Sequence, residues 1–212
     1  MRAKNPKRKL GASRQLSLLS TWQKDRFAFG GSLLRKSHAK TKRPFSKKLA
    51  IHIVLRSSQA KNAKSFLRQG RRVDTILMDE AAKRSVKLHG AANAGNHLHP
   101  LVQAPSREGL NAFMRSVSGR IAMLVTGTRK GKPLQSLGAE ELLVKFWDQR
   151  PFSRLVSLGR DFLNTLSYIS LNSTESAGVT RNNARTMFRE IRERLKRGEM
   201  PRSPNLIAAG FV

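Results

Sequence analysis

The sequence predicts an α+β domain in which helices pack on an antiparallel sheet, following the ferredoxin-like plan. Two observations carry this prediction. The first is the order of periodicities along the chain, which runs strand, helix, hairpin, helix, strand, helix. The second is that the helical segments are apolar on one stripe only, so each needs a sheet or another helix to bury that stripe. A split strand-helix-strand arrangement is the hallmark of the ferredoxin-like plan.

The first half of the predicted domain contains a strand, a helix and a hairpin. Residues 49–55 alternate between two sets of side chains, which is a strong strand signal. Residues 60–84 follow a helical pattern that Gly70 is expected to break. Residues 86–92 and 97–103 are expected to pair as a hairpin. Because Pro100 has no N–H group, the second hairpin strand is predicted to lie at an edge or to carry a bulge.

The second half of the predicted domain is mainly helical. Ser106 begins a helix with an apolar stripe, and a short helix is expected near 140–146. Residues 151–157 are predicted as an edge strand. Helices are then expected at about 161–172 and 181–197. The apolar stripe of the long helix consists of Leu110, Phe113, Met114, Val117, Ile121 and Leu124.

The charge balance is strongly positive. The chain of 212 residues has 42 lysines and arginines against 13 aspartates and glutamates, a formal net charge of +29 at pH 7. A compact protein with that charge repels itself unless a polyanion binds, and nucleic acid is the common polyanion partner. No long amphipathic basic helix with an aromatic apolar face stands out, and no apolar run is long enough to cross a bilayer, so no membrane partner is expected. The absence of cysteine excludes disulfides, thiolate zinc sites and a cysteine nucleophile.

The uneven distribution of charge divides the chain into three predicted parts. The first 50 residues hold 15 lysines and arginines and a single acid, Asp25. We therefore predict that residues 1–47 are a basic arm, which is either a solvated tail or a phosphate-binding segment. Residues 48–178 are predicted to form the domain, and residues 179–212 a charged helix and tail.

Two histidines and a tyrosine are the candidates for chemistry. His97 and His99 are separated by one residue on a predicted strand, so both imidazoles leave the same face and can grip one divalent ion. This motif is weak by itself, and two ordinary histidines are the alternative. Tyr168 is the only tyrosine in the chain, and helical spacing places Asn172 on its face one turn further on. A lone tyrosine on a helix is more often a packing residue.

The ordered set of motifs resembles the HUH single-tyrosine transposases, and within them the REP-associated tyrosine transposases. The resemblance covers about residues 48–178. It rests on Asn96-His97-Leu98-His99, Phe113-Met114-Arg115, the segment Phe146-Trp147-Asp148-Gln149-Arg150-Pro151-Phe152, and Tyr168-Ile169-x-x-Asn172.

The resemblance implies a function and a site. It implies an endonuclease and strand transferase that acts on single-stranded or hairpin DNA in the bacterial cytoplasm. His97, His99 and Asn172 would bind Mg²⁺ or Mn²⁺. Tyr168 would attack the phosphorus and keep the 5′ end as a phosphotyrosine. The sequence does not decide between a monomer and a homodimer.

Two other functions stay open. A non-catalytic protein that binds DNA or RNA through its charge, such as a domesticated or decayed transposase, explains the +29 but not the spacing of the candidate residues. A zinc hydrolase would need a third nitrogen or carboxylate ligand beside His97 and His99, and the sequence offers no obvious one.

Overall fold

The computed structural model describes residues 27–31, 42–128 and 145–197. In this part of the chain, six strands form one antiparallel sheet and four α-helices pack around it, which confirms the α+β class. The strands are β1 (Ala28–Phe29), β2 (Ala50–Arg56), β3 (Lys87–Gly90), β4 (His97–Leu98), β5 (Leu101–Gln103) and β6 (Phe152–Val156). The helices are α1 (Gly70–Lys83), α2 (Arg107–Thr126), α3 (Arg160–Ser176) and α4 (Arg181–Lys196).

The strand order is that of the predicted plan. The strands lie across the sheet in the order β1-β6-β2-β5-β3. Both β4 and β5 pair with β2: β4 pairs with its C-terminal end, at Leu55 and Arg56, and β5 pairs with Ile51 and His52. If β4 and β5 are treated as one interrupted strand, the core of the sheet has four strands, which follow along the chain in the order β2, β3, β4–β5 and β6. Their order across the sheet is β6, β2, β4–β5 and β3, which is the fourth, first, third and second strand. This is the ferredoxin-like arrangement, with β1 added at the outer edge of β6.

The sheet has a core on each face. Because side chains alternate along β2, Ile51 and Ile53 enter a large core with α1 and α2, whereas Ala50 enters a smaller core under α3. Phe66 and Phe113 are among the largest buried side chains of the first core. Helix α3 therefore lies on the face of the sheet opposite to α1 and α2.

Two local predictions need correction, and one open alternative is decided. The segment at 151–157 is not an edge strand, because β1 pairs with the outer side of β6. Gly70 does not break a helix; a 3₁₀ helix at Phe66–Gln69 runs into α1, and Gly70 is the first residue of α1. The strand after His97 is central, since β2 and β3 flank it. The edge alternative is therefore excluded. Pro100 divides the strand into β4 and β5. The β3–β5 register shifts between Leu88 and Gly90, which places the extra residue, His89, on β3.

Part of the predicted arm belongs to the sheet. Ala28–Phe29 form β1, and the guanidinium of Arg43 donates hydrogen bonds to the Ser153 hydroxyl and, at 2.9 Å, to the Pro151 carbonyl oxygen. Arm residues 1–26 and 32–41, residues 140–144 of the helix expected at 140–146, and the tail after residue 197 lie outside the described residues. Residues 145 and 146 are not helical. The expected C-terminal helix is present as α4.

Candidate functional site

His97 and His99 lie on the face of the sheet that α3 covers. Leu98, between them, points the other way and is buried in the first core. The centroids of the two imidazole rings are 4.7 Å apart. The alternation of a strand therefore places the two rings side by side, as the sequence predicts. His99 is buried and His97 is half-buried.

Helix α3 brings Tyr168 to the same place. Ile169 and Thr165 are buried under the helix and hold it against the sheet. Tyr168 lies beside Ile169 and is 39% exposed, so its phenol is accessible from solvent. Its ring centroid is 5.5 Å from that of His99, and the two rings meet edge to face. The fold thus joins residues that are about 70 positions apart in the sequence.

A third histidine belongs to this cluster, and the sequence analysis did not select it. His52 is 8% exposed, and its ring centroid lies 5.3 Å from that of His99 and 6.0 Å from that of Tyr168. Its Nε2 atom is 3.2 Å from Nδ1 of His99. The signal in the sequence was the position of His52 two residues after Ala50, on the same face of β2. The register that sets β2 beside the second hairpin strand was not readable.

The surroundings keep the three imidazoles neutral at neutral pH. Burial lowers the pKa of His52 to about 4, and the positive charge of Arg154 on the paired strand adds to the shift. Burial lowers the pKa of His99 to about 3, with further contributions from His52 and His97. The pKa of His97 is also lowered, by burial and then by Arg56. Neutral imidazoles are the form that binds metal ions.

The two predicted histidine ligands fit a divalent ion. The Nε2 atom of His99 is buried and, within the described residues, has no hydrogen-bond partner. Such an orphaned nitrogen costs free energy unless a ligand satisfies it. Nδ1 of His97 is 2.6 Å from the Oδ1 atom of Asn96, which leaves its Nε2 for another contact.

The third ligand is less well defined. Across the described ranges, no group of three or more histidine, cysteine, aspartate or glutamate side chains is arranged to hold a metal ion. Asn172 lies one turn beyond Tyr168 on α3, and its amide nitrogen donates to the carbonyl oxygen of Tyr168 at 3.0 Å. In the described part of the chain, no hydrogen bond joins Asn172 to either histidine. A divalent ion on the two imidazoles would therefore need a further ligand, such as an oxygen from an amide, water or substrate.

Two surface clefts share Arg150 in their lining, and the first of them adjoins the site. The first has a volume of about 740 Å³ and includes Val54, Arg56, Arg150 and Phe152 in its lining. Because Arg56 pairs with His97 across β2 and β4, this cleft adjoins the histidine pair. The second cleft, about 600 Å³, lies along α2, and Arg150 lines it as well. Its cationic lining consists of Lys42, Arg43, Arg107, Arg115 and Arg150.

The comparison with solved structures agrees with this architecture. The fold is similar to that of a REP-associated tyrosine transposase bound to a REP hairpin, with a TM-score of 0.50 and 11% sequence identity. The match covers 66% of this chain and 76% of that chain. The structural similarity supports a distant relationship, and the low sequence identity limits that relationship to the fold. No protein-family model and no curated protein sequence matches the chain. In the described part of the chain, no helix is both long and apolar enough to cross a membrane.

Proposed function

We propose that this chain is a transposase-like enzyme that nicks and rejoins single-stranded DNA, with Tyr168 as its nucleophile. The observation that carries the proposal is the contact between the Tyr168 ring and the His99 ring, which sets an accessible phenol against neighbouring imidazoles. An interface built only for stability would favour apolar side chains here, since buried polar rings cost free energy unless their nitrogens are bonded.

The reaction is a transfer of one phosphodiester bond. The Tyr168 oxygen attacks the phosphorus of the scissile phosphate, and the bond from phosphorus to the 3′ oxygen breaks. The phenol loses its proton, and the departing 3′ oxygen gains one and leaves as a hydroxyl. The 5′ end stays on Tyr168 as a phosphotyrosine. Rejoining is the reverse step, in which a 3′ hydroxyl attacks the phosphotyrosine, so no external energy source is needed.

The proposed enzyme depends on Mg²⁺ or Mn²⁺. His97 and His99 would hold the ion through their Nε2 atoms, with the amide oxygen of Asn172 as the third ligand. When bound, such an ion polarises the scissile phosphate and offsets the negative charge of the transition state. Neutral ligands suit this role, because the ion keeps its full charge for the phosphate. Nitrogen ligands also favour Mn²⁺ over Mg²⁺ in affinity.

The two clefts provide a path for the DNA strand. Arg56 and Arg150 line the first cleft together with Asp148, which forms an ion pair of 3.6 Å with Arg56, and the lining of the second cleft is more strongly cationic. Phe29 and Phe152 offer aromatic surfaces on which bases can stack. A strand that follows the first cleft arrives next to His97 through Arg56. The similar transposase is bound to a hairpin. We therefore propose single-stranded or hairpin DNA as the substrate class.

The test is a covalent trapping experiment. Wild-type protein and Tyr168→Phe are incubated with a pool of single-stranded DNA hairpins and Mn²⁺, and protein–DNA adducts are separated on a denaturing gel. The substitution removes only the nucleophilic oxygen, so the fold and DNA affinity should hold. We expect an adduct with the wild type and none with the variant, because the variant lacks the oxygen that forms the bond to phosphorus.

The other outcomes distinguish the alternatives. An adduct that persists in Tyr168→Phe would show that another residue is the nucleophile. If the wild type binds the same DNA and forms no adduct with any member of the pool, the protein is the non-catalytic nucleic-acid-binding alternative. That alternative draws its support from the net charge of +29.

A further inference from the structure

Each histidine of the proposed metal pair has a partner at Nδ1. Nδ1 of His97 is 2.6 Å from the side-chain oxygen of Asn96, and Nδ1 of His99 is 3.2 Å from Nε2 of His52. An amide oxygen carries no proton, so His97 must donate its Nδ1 proton to Asn96. A neutral imidazole has a single ring proton. Nε2 of His97 therefore carries a lone pair, as a metal ligand requires.

The hydrogen bond of His99 has two alternative directions. If His52 donates, the proton of His99 sits on Nε2, which would then be a buried N–H group without an acceptor in the described structure. If His99 donates from Nδ1, its Nε2 carries a lone pair. Only the second direction gives His99 the same form as His97, and only a lone pair can bind a cation.

We propose that His52 is a positioning residue that accepts the Nδ1 proton of His99 and thereby holds the Nε2 lone pair of His99 ready for a divalent ion. Metal-binding histidines commonly donate their second ring nitrogen to such an outer partner, which fixes both the tautomer and the ring orientation. The role toward the ion rests on the proposed function above, whereas the direction of the hydrogen bond does not.

The placement of His52 suits this role. It is 8% exposed, so water does not readily replace it as the partner of His99. Its ring stacks on that of His99 with an interplanar angle of 19°. The neighbouring Arg154 is occupied by an ion pair with Asp161 and a hydrogen bond to Thr165. The guanidinium of Arg154 therefore donates to side chains of α3.

The first test reads the tautomer directly in metal-free protein. Nitrogen-15 NMR distinguishes protonated from unprotonated ring nitrogens, and single-histidine substitutions assign the signals. We expect His99 to carry its proton on Nδ1. In His52→Phe the ring volume is kept and the acceptor is removed, so the proton should move to Nε2. In His52→Gln the amide oxygen can accept, so the Nδ1 form should be retained. A proton on Nε2 in the wild type, or an unchanged tautomer in His52→Phe, would overturn the proposal.

The second test measures Mn²⁺ binding by calorimetry without DNA. His52→Phe should weaken the affinity about 10–100-fold, the range typical for removal of an outer partner, and His52→Gln should restore most of it. His89→Phe is the control, because His89 contacts Phe162 and Gln103 rather than the pair. Equal weakening in the Phe and Gln variants would indicate a packing role and overturn the proposal. Absence of Mn²⁺ binding by a wild type with the expected tautomer would instead refute the metal site.

Discussion

The side chains of the candidate site differ in how much of each one solvent can reach. Tyr168 is 39% exposed, whereas His99 and His52 behind it are 4% and 8% exposed. In the proposed reaction a DNA strand would therefore reach the phenol from outside while His99 and His52 stay shielded from water, and His97 is half-buried between these extremes. Interactions between charged groups are stronger where water is excluded. The electrostatic attraction between a phosphate held there and a bound cation would therefore be strong.

Removal of either proposed histidine ligand should separate catalysis from DNA binding. We expect His97→Ala and His99→Ala to abolish cleavage and to leave single-strand affinity nearly unchanged, because the cationic clefts remain. Asn172→Ala should weaken the response to metal less, since water can replace one oxygen ligand. The measurement is cleavage as a function of Mn²⁺ concentration. Full activity in chelator, or an unaltered metal response in the histidine variants, would refute the site.

Spacing singled out His97 with His99 and Tyr168 with Asn172 as candidates, and the family resemblance implied their roles, but neither selected His52. The histidine pair and the tyrosine–asparagine pair each lie within one element, where the period of a strand or helix states which side chains are neighbours. His52 meets His99 only through the pairing of β2 with the hairpin strand. That register depends on nonlocal contacts, which no local period encodes.

At the scale of elements, helices α1 and α2 are joined by a buried carboxylate. Glu80 on α1 is 4% exposed and forms ion pairs of 2.8 Å with Arg84 and with Arg120 of α2. Burial by itself would raise the pKa of Glu80, but the hydrogen bonds from Arg120 and Ser116 and the charges of Arg84 and Lys83 outweigh it, so the pKa is lowered. The ionised form is therefore the one that stabilises the fold.

This ion pair predicts a pH dependence of stability. Because the folded pKa of Glu80 is lowered, its contribution is fully present above the ordinary value of 4.5 and is lost as pH falls through the folded pKa. Glu80→Gln should cost about 2 kcal/mol near pH 7, the scale of a hydrogen bond to a charged group. The cost should shrink in acid. Urea unfolding of both proteins from pH 7 to pH 3 measures this, and a pH-independent difference would contradict it.

The length of an element decided whether the sequence revealed it. Strand β2 spans seven residues and α2 spans twenty, so each shows several repeats of its period. Strand β1 spans two residues, too few to show alternation, and it pairs with β6 more than 120 positions away. The predicted edge position of β6 was wrong for this reason. The predicted helix break at Gly70 was wrong because a glycine can stand at the beginning of a helix as well as at its end.

At the scale of the whole molecule, exposed cations of the second cleft should contribute to DNA affinity. Arg43 and Arg107 already bond to the protein, whereas Arg115 and Arg150 have exposed side chains and no ion pair within the described residues. We expect the double variant Arg115→Gln, Arg150→Gln to lower the slope of log affinity against log salt by about 0.7 for each phosphate that the protein no longer neutralises. The double variant Arg71→Gln, Arg72→Gln on α1, which also removes two exposed cations, is the matched control. If the salt slope of the cleft variant equals that of the wild type, the bound DNA strand does not run along this cleft.

The N-terminal segment should add affinity that does not depend on DNA sequence. Residues 1–26 contain eight lysines and arginines and one aspartate, whereas residues 198–212 contain one arginine and one glutamate. Deletion of residues 1–26 leaves β1 and Arg43 in place, so it tests the charge without removing part of the sheet. Phosphate neutralisation releases counterions, so this deletion should flatten the salt dependence of single-strand binding by about 0.7 per phosphate. Deletion of residues 198–212 removes no net charge and should leave the slope unchanged.

The affinities of several unrelated DNA strands should fall by a similar factor when residues 1–26 are deleted, because phosphates are common to all strands. A slope that stays the same after removal of residues 1–26 would mean that these charges do not touch phosphates in the complex.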